Sequence, residues 1–405
     1  MPTAIRSKPK PSTPAALPYQ CIALVLQGGG ALGAYQAGVF EGLAIDGIEP
    51  HWVAGISIGA INAALIAGNA PEKRVERLRD FWQTVTAPPF LPATPGPLQS
   101  GAAHGQPSMG LARTTLSWIE ASRALFEGQR GFFTPRLPSP LFALESAPDA
   151  LSHYDTAPLA ATLERLVDFD RINAKRGMRL TVSAVNVHTG NYELFDNHRG
   201  AWAGRLSAKH ILASGALPPG FAAVEIEGEY YWDGGLVSNT PLATVLEDEP
   251  RRDTLAFQVD LWSAVGPLPR NVLDVEERGK DIRFSSRTRA VTRQLQREQH
   301  LRRVLREVMA KLPSSAKKGD PWCHEAAALA CDRRFNVVHL IYKEKEWDGL
   351  AKDFEFGAQS MRDHWASGLA DINHTLVHRE WLKPPEGRFA SVTHDVHLHA
   401  KPRRS

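Results

Sequence analysis

The chain of 405 residues is long enough for one large domain or two modest ones. Hydrophobic residues make up 43% of it and charged residues 22%, which is ordinary for a globular protein with a sizeable core. The formal net charge of only +3 argues against nucleic acid as a partner, and three cysteines are too few for a disulfide scaffold.

The N-terminal segment, residues 1–20, contains prolines and basic residues but no apolar run of the length that a signal peptide needs. We expect it to be a disordered tail. Nowhere does the sequence approach the ~18 consecutive apolar residues of a membrane span. These features, with the low cysteine count, predict a cytoplasmic protein and leave contact with a membrane surface open.

Residues 21 to about 85 alternate between strand and helix patterns. Apolar runs predict strands at Ile22–Leu26 and Trp52–Gly55. Each strand leads through a glycine turn into a predicted helix, the first at Ala34–Ile45 and the second at Ile58–Ala67. This alternation predicts an α/β fold with three layers, in which helices cover both faces of a mainly parallel sheet.

Residues 86–150 are rich in proline, and we expect a lid-like insertion with one helix near Leu111–Leu125. Regular structure is predicted to resume after it. The further predicted elements are helices at Pro158–Val167 and Leu206–Ser214, strands at Arg179–Asn186, Tyr192–Phe195 and Leu255–Leu261, basic helical sequence from Asn271 to Leu312, a strand at Phe335–Tyr342 and a helix at Gln359–Leu376.

The turn after the second strand fits the pattern G-x-S-x-G, with Gly55, Ser57 and Gly59 at the fixed positions. This pattern is typical of a nucleophile elbow, a strained turn from strand to helix that exposes a serine hydroxyl. The alternative is a tight turn whose serine only caps a helix.

The turn after the first strand reads Gly28-Gly29-Gly30-Ala31-Leu32-Gly33. Consecutive glycine amides near a helix N-terminus form an anion site, which a nucleophilic serine needs for the oxyanion of its intermediate. The same residues fit G-x-G-x-x-G, the dinucleotide fingerprint, with Asp46 or Glu49 near the place of the ribose-binding acid. A nucleotide-binding oxidoreductase is therefore an alternative.

A third segment, residues 230–241, begins with an aromatic strand, and this strand ends in Asp233-Gly234-Gly235. A carboxylate at such a strand end could accept the serine proton or orient a histidine. The alternative is an ordinary hairpin turn, because Asp-Gly is a common turn pair.

Taken together in this order, the three segments resemble the patatin-like phospholipase family. The resemblance covers about residues 21–262 and implies a catalytic domain of patatin type that hydrolyses lipid esters without a cofactor or a metal. It implies that Ser57 is the nucleophile, that Asp233 is the base in a Ser-Asp dyad without histidine, and that the amides of Gly28, Gly29 and Gly30 form the oxyanion hole. The glycines that would support these motifs are Gly33, Gly55, Gly59, Gly234 and Gly235.

The chain departs from the family at Leu32, where many members carry Lys or Arg. In the C-terminal region at 263–382, the segment that begins Lys352-Asp353-Phe354-Glu355-Phe356 and ends at Gly368 resembles a domain of unknown function attached to some bacterial members. We expect this region to be a smaller α+β accessory module, followed by a loosely ordered tail at 383–405. The resemblance assigns no chemistry to it.

Other features of the sequence leave alternatives open. A Ser-Asp-His triad is not excluded by residue order, and a vestigial site would leave a catalytically idle lipid-binding protein. Cys323, His324 and Cys331 make an incomplete metal set. The basic helix at 283–311 could lie on an anionic membrane or simply face solvent. Four aromatic residues of the insertion could form a wall for an acyl chain or only pack the lid, namely Trp118, Phe126, Phe132 and Phe133.

Overall fold

The structure is a computed structural model of the chain. It describes residues 17–86, 107–137, 139–140, 151–286, 288–345, 347–386 and 390–395, without the side chains of 107–112, 288–290 and 316. Its strands are β1 (Cys21–Leu26), β2 (Trp52–Gly55), β3 (Thr134–Pro135), β4 (Tyr154–Asp155), β5 (Arg179–Asn186), β6 (Tyr192–Asp196), β7 (Val224–Ile226), β8 (Glu229–Asp233), β9 (Thr254–Asp260), β10 (Phe335–Ile341) and β11 (Ser391–Asp395).

Helices connect and cover these strands. They are α1 (Ala34–Ile45), α2 (Ile58–Ala67), α3 (Arg74–Val85), α4 (Pro107–Glu127), α5 (Ala157–Leu166), α6 (Phe169–Asn173), α7 (Ala208–Ser214), α8 (Leu242–Leu246), α9 (Val272–Phe284), α10 (Thr288–Lys311), α11 (Ser314–Lys317), α12 (Pro321–Leu329) and α13 (Ala358–Val377).

One large sheet of nine strands organises the fold. The strands β11, β10, β9, β1, β2 and β5 pair in this order, and each pair is parallel. Antiparallel strands are added around β5, which pairs with β6 and β8, while β7 pairs with β8. The predicted mainly parallel sheet is confirmed.

Alternate side chains of β1 enter two different cores, one on each face of the sheet. Leu24 and Leu26 lie in the larger core with residues of α1 and α2. Ala23 and Val25 lie in a smaller core with residues of α8 and with Leu295 of α10. The continuous apolar run of β1 is explained by burial on both faces, and the three layers follow from it.

The C-terminal region shares this sheet and its cores. β10 lies beside β9, and α13 packs against α1 with little space between the backbones. A Cβ on Gly38 of α1 would lie 2.0 Å from the Trp365 carbonyl oxygen, and a Cβ on Gly368 of α13 would lie 2.0 Å from that of Tyr35. The region predicted as an accessory module at 263–382 therefore extends the same sheet and forms no sheet of its own among the described residues.

Both predicted tails contain ordered residues. Ser391–Asp395, within the segment expected to be loosely ordered, forms β11 at the edge of the sheet because its backbone pairs with β10. Tyr19, within the expected N-terminal tail, is buried and accepts a hydrogen bond from the Asn336 amide at 3.0 Å. Residues 1–16 and 396–405 lie outside the described residues.

The insertion at 86–150 contains the expected helix, which is longer than predicted as α4. Its strand β3 pairs with β4 beyond the insertion. Residues 87–106, 138 and 141–150 lie outside the described residues, so the lid-like character of the insertion stays a prediction.

Candidate active site

Ser57 occupies a sharp turn between β2 and α2. Its backbone has φ 57° and ψ −125°, a left-handed conformation that costs a residue with a side chain about 1–3 kcal/mol. The Ser57 amide donates to both the carbonyl and the hydroxyl oxygen of Ser214, each at 3.1 Å, which holds the turn. The glycines of the motif are required because a Cβ on Gly55 would lie 2.2 Å from the Gly59 carbonyl oxygen, and a Cβ on Gly59 would lie 2.3 Å from the Leu26 carbonyl oxygen.

Asp233 ends β8, and the sheet brings this end to the end of β2. β5 pairs with β6 along one edge, so β2 and β8 share its other edge. β2 ends at Gly55 opposite Val182, and β8 ends at Asp233 opposite Ala184. Val182 and Ala184 are two residues apart on β5, which is a distance of roughly 7 Å along a strand. The two motifs therefore converge although they are far apart in the sequence.

The Asp233 carboxylate is buried, with 3% of the residue exposed. It accepts a hydrogen bond from the Gly235 amide at 2.7 Å, and the Ser57 hydroxyl lies close enough to lower its pKa. Burial raises the pKa of Asp233 to about 7, because the charged form is poorly solvated, although the Gly235 hydrogen bond and the Ser57 hydroxyl both lower it. This carboxyl group can therefore exchange a proton near neutral pH.

The glycine loop lies against the same site, since a Cβ on Gly28 would be 3.1 Å from the Ser57 Cβ. The Gly28 amide donates to the Asn239 carbonyl at 3.3 Å, and the Ala31 amide donates to the Asp353 carbonyl at 2.7 Å. Within the described part of the chain, the amides of Gly29 and Gly30 donate to no acceptor. Of the three amides proposed for an oxyanion hole, the Gly28 amide is therefore already engaged in the fold.

The peptide between Gly28 and Gly29 is held from one side. Its carbonyl oxygen accepts hydrogen bonds from the Trp262 indole N–H at 2.8 Å and from the Asn239 amide at 3.1 Å. In a trans peptide the N–H points opposite to the carbonyl. The Gly29 N–H therefore points away from Trp262 and Asn239.

Gln27, directly before the loop, joins the segments around it. Its side-chain oxygen accepts hydrogen bonds from the backbone amides of Leu261 and Trp262 at 2.6 and 3.0 Å. Its side-chain nitrogen donates a hydrogen bond to the Thr240 hydroxyl at 3.0 Å. A buried side-chain amide whose donors and acceptor are all hydrogen-bonded stabilises a single arrangement of the segments that it joins. No motif in the sequence indicates a role for Gln27, Asn239, Trp262 or Thr240.

The remaining motif glycines lie where a side chain would collide with the site. A Cβ on Gly33 would lie 2.5 Å from the Ile58 side chain, and a Cβ on Gly234 would lie 2.6 Å from the Ser183 carbonyl oxygen. A Cβ on Gly235 would lie 2.9 Å from the Asn239 side chain. Leu32 is fully buried, so the position where many patatin-like proteins carry a cation faces the core in this chain.

The acids required by the dinucleotide alternative are engaged elsewhere. Asp46 forms an ion pair with Arg379, and Glu49 forms one with Arg74. The triad alternative requires a histidine hydrogen-bonded to the pair, and no histidine among the described residues hydrogen-bonds Ser57 or Asp233. The same part of the chain contains no group of three or more side chains placed to hold a metal ion.

The four aromatic residues of the insertion divide into two pairs. Trp118 and Phe126 are exposed on α4, whereas Phe132 and Phe133 are buried and pack edge to face, with ring centroids 5.6 Å apart. The latter two rings also contact Phe221, at 6.2 and 5.5 Å, and Phe356 of the C-terminal region, at 5.6 and 6.3 Å. Three segments of the chain thus meet in one aromatic cluster.

The basic sequence at 283–311 spans the end of α9 and the whole of α10. Several of its cations are paired within the molecule, for example Arg302 with Glu298 at 2.8 Å and Arg306 with Asp332. Across the part of the chain that the structure describes, no helix is both long enough and apolar enough to span a membrane.

Comparison with known proteins gives two family matches. A family model described as "Patatin-like phospholipase" matches residues 24–246, and a second, described as "Patatin phospholipase", matches residues 282–388. A search of the curated proteins found no match. Among solved structures the chain is similar to VipD from Legionella pneumophila, with 15% identity over 94% of this chain and 72% of that chain and a TM-score of 0.32. At that TM-score we draw no conclusion from the likeness.

Proposed function

Because the chain belongs to the patatin-like phospholipase family, a family of lipid acyl hydrolases, we propose that it cleaves carboxylic esters of lipids through an acyl-serine intermediate. Ser57 is the nucleophile and Asp233 is the general base in this proposal. The observation that carries it is the position of the Ser57 hydroxyl beside a buried carboxylate whose pKa is about 7. A serine hydroxyl becomes a useful nucleophile only when a base accepts its proton, and a base with a pKa near the working pH is the most efficient.

In the first half of the reaction, Ser57 Oγ attacks the acyl carbonyl carbon and its proton passes to Asp233. The negative charge that develops on the carbonyl oxygen is stabilised by the amides of Gly29 and Gly30 and by the N-terminus of α2, which begins directly after Ser57. The intermediate then collapses. The C–O bond to the alcohol breaks, and Asp233 returns the proton to the departing oxygen.

In the second half, Asp233 accepts a proton from water as the water oxygen attacks the acyl-serine carbonyl. Collapse of this second intermediate breaks the bond to Ser57 Oγ, which takes the proton back, and the fatty acid leaves. The raised pKa of Asp233 serves both halves because the same carboxyl group alternately accepts and donates one proton.

The test is hydrolysis of p-nitrophenyl esters and of phospholipid vesicles by wild-type protein and by Ser57→Ala. We expect the activity of the variant to be at least about 10³-fold lower than that of the wild type, which is typical for the loss of a covalent nucleophile. Ser238→Ala is the matched control, since its hydroxyl lies in the loop after Asp233 and bonds the Thr240 carbonyl at 3.4 Å. Activity that Ser57→Ala retains would contradict the assignment of the nucleophile. A wild-type protein that binds lipid without turnover would overturn the proposal in favour of an idle lipid-binding protein.

The rival oxidoreductase reading is tested on the same proteins. It requires binding of a nicotinamide cofactor and no dependence on Ser57. The observations favour the hydrolase because Asp46 and Glu49 are committed to ion pairs with arginines.

A further inference from the structure

We infer that the C-terminal region holds the glycine loop in its working conformation, and that Asp353 and Lys280 are positioning residues for the amides of Gly29 and Gly30. This inference rests on the proposed function. It gives a role in the reaction to a region from which the sequence predicted no chemistry.

The direct contact is between backbones. The Asp353 carbonyl oxygen accepts the Ala31 amide at 2.7 Å and lies 2.0 Å from the place of a Cβ on Gly30. Gly30 has φ +55°, a conformation that glycine adopts without strain. The Asp353 carbonyl thus touches the loop immediately after the two amides that have no acceptor, and it leaves no space in which the loop could shift toward it.

The segment around Asp353 is fastened to α9 by ion pairs. Lys280 on α9 pairs with the Asp353 carboxylate and donates to the Leu350 carbonyl at 3.2 Å. Lys352, which is buried, binds Asp281 on the same helix at 2.7 Å and also pairs with Glu344. A buried cation with several carboxylate partners is costly to move, because separation leaves each charge unpaired. These contacts fix the Asp353 carbonyl relative to α9.

The same helix supports the other side of the glycine loop. The carbonyl of Phe284, the last residue of α9, accepts the side-chain amides of Asn239 at 2.9 Å and Gln27 at 3.1 Å. Asn239 in turn donates to the Gly28 carbonyl. α9 therefore reaches the loop at Gly28 through Asn239 and at Ala31 through Asp353, and the two amides without acceptors lie between these supports.

Helix α13 holds the helix that follows the loop. Beyond the close approach of glycines already described, the Tyr35 hydroxyl at the start of α1 donates to Asp371 of α13 at 2.8 Å. Oxyanion donors act only when they are fixed at the position of the developing charge, and a displacement of about 1 Å can cost about 100-fold in rate. The contacts of α9, α13 and the Asp353 segment with the glycine loop and with α1 hold the Gly29 and Gly30 amides in a fixed position.

The experiment compares Lys280→Met and Asp353→Asn, which each break the Lys280–Asp353 ion pair, with Arg379→Met as the matched control. Arg379 also joins the C-terminal region to the first half of the chain, through Asp46, but at the far end of α1 from the glycine loop. For each full-length protein we would measure kcat and KM, the affinity for a trifluoromethyl ketone that forms a tetrahedral adduct with serine, inhibition by free fatty acid, and the thermal unfolding midpoint.

We expect kcat to fall about 10- to 100-fold in both variants, a part of the 10²–10³ that a lost oxyanion donor costs. The affinity for the ketone should fall by the same factor. KM, fatty-acid inhibition and the Arg379→Met control should change little. A purely structural role would instead lower the unfolding midpoint in all three variants and leave kcat of the folded protein unchanged, and this result would overturn the inference. If the wild-type protein itself shows no hydrolysis that depends on Ser57, the proposed function fails first.

Discussion

The Ser57 hydroxyl lies beside the Asp233 carboxylate, close enough to lower its pKa, because β2 and β8 run toward each other along one edge of β5. The parallel strand delivers Ser57 just past its end, and the antiparallel strand delivers Asp233 at its own end. Both strands are held by hydrogen bonds to the same neighbour, so their ends cannot drift apart without breaking the ladder. The geometry of the pair is a property of the sheet, and substitutions at the pair can therefore test chemistry with the fold intact.

The pH dependence of the reaction should report Asp233. A protonated carboxyl group cannot accept the Ser57 proton, and the pKa of Asp233 is raised to about 7 by burial. We expect kcat/KM to rise with pH through about 7 and to level off above it, since this ratio reports ionisation in the free enzyme. Hydrolysis rates of a p-nitrophenyl ester from pH 5 to 9 measure this. A rate that stays level from pH 5 to 9, as expected for an aspartate with the ordinary pKa of ~3.9, would contradict the raised pKa of this group.

The stability of the protein should depend on the same group in a defined direction. The folded-state pKa of Asp233 lies above the unfolded value of ~3.9, so folding binds a proton between these two values. The stability that this group contributes is therefore lost as pH rises from about 4 to about 7. Asp233→Asn removes the charge, and we expect it to raise the unfolding midpoint relative to wild type more at pH 8 than at pH 4. Thermal unfolding at the two pH values checks this, and an equal shift at both would contradict it.

Gly30 should not accept alanine, for two separable reasons. Its φ is +55°, and a Cβ would lie 2.0 Å from the Asp353 carbonyl oxygen. Gly190 is the matched control because it has φ +69° with no atom within 4 Å of a Cβ. We expect Gly190→Ala to cost about 1 kcal/mol of stability from strain alone and to leave kcat unchanged. Gly30→Ala should lower kcat at least about tenfold, a barrier increase of ~1.4 kcal/mol. Equal effects of the two substitutions on kcat would contradict the role of the loop.

Trp262→Phe should slow the reaction although it keeps an aromatic ring in place. It removes the indole N–H that binds the Gly28 carbonyl and so frees the peptide that carries the Gly29 amide. We expect kcat to fall about tenfold, ~1.4 kcal/mol in the barrier, with little change in KM. Trp202→Phe is the control, since Trp202 is also buried and its N–H donates to Glu193 at 3.3 Å. Steady-state kinetics that do not distinguish the two variants would count against this orientation of the peptide.

Much of the first half of the fold could be predicted from local patterns. The bounds of α1, β2 and α2 agree with the prediction to the residue, because glycine turns and long apolar runs mark where each element begins and ends. β11 was missed because Ser391–Asp395 is mostly polar, and it is a strand only through its pairing with β10. Patterns within a short window contain no information about such a partner.

The supporting residues of the site could not be predicted for a related reason. Asn239 stands in the quoted segment after Asp233, and Asp353 stands in the quoted segment of the C-terminal region, but neither residue type indicates a role there. Asp353 acts at the glycine loop through its main-chain carbonyl, which every residue possesses. Trp262 reaches the loop from just beyond the end of β9, the strand that pairs with β1. Only the assembled sheet brings these groups to the loop.

The most direct test of the Ser57–Asp233 account is the rate at which a fluorophosphonate probe labels the protein, with the modified residue identified by mass spectrometry. We predict that wild-type protein is labelled at Ser57 and that Asp233→Asn, folded and otherwise intact, is labelled about 10²–10⁴-fold more slowly, which is the usual contribution of a general base. Labelling at another residue, labelling of Ser57 at an undiminished rate in Asp233→Asn, or an equal loss on replacing one histidine in a folded protein would contradict the account.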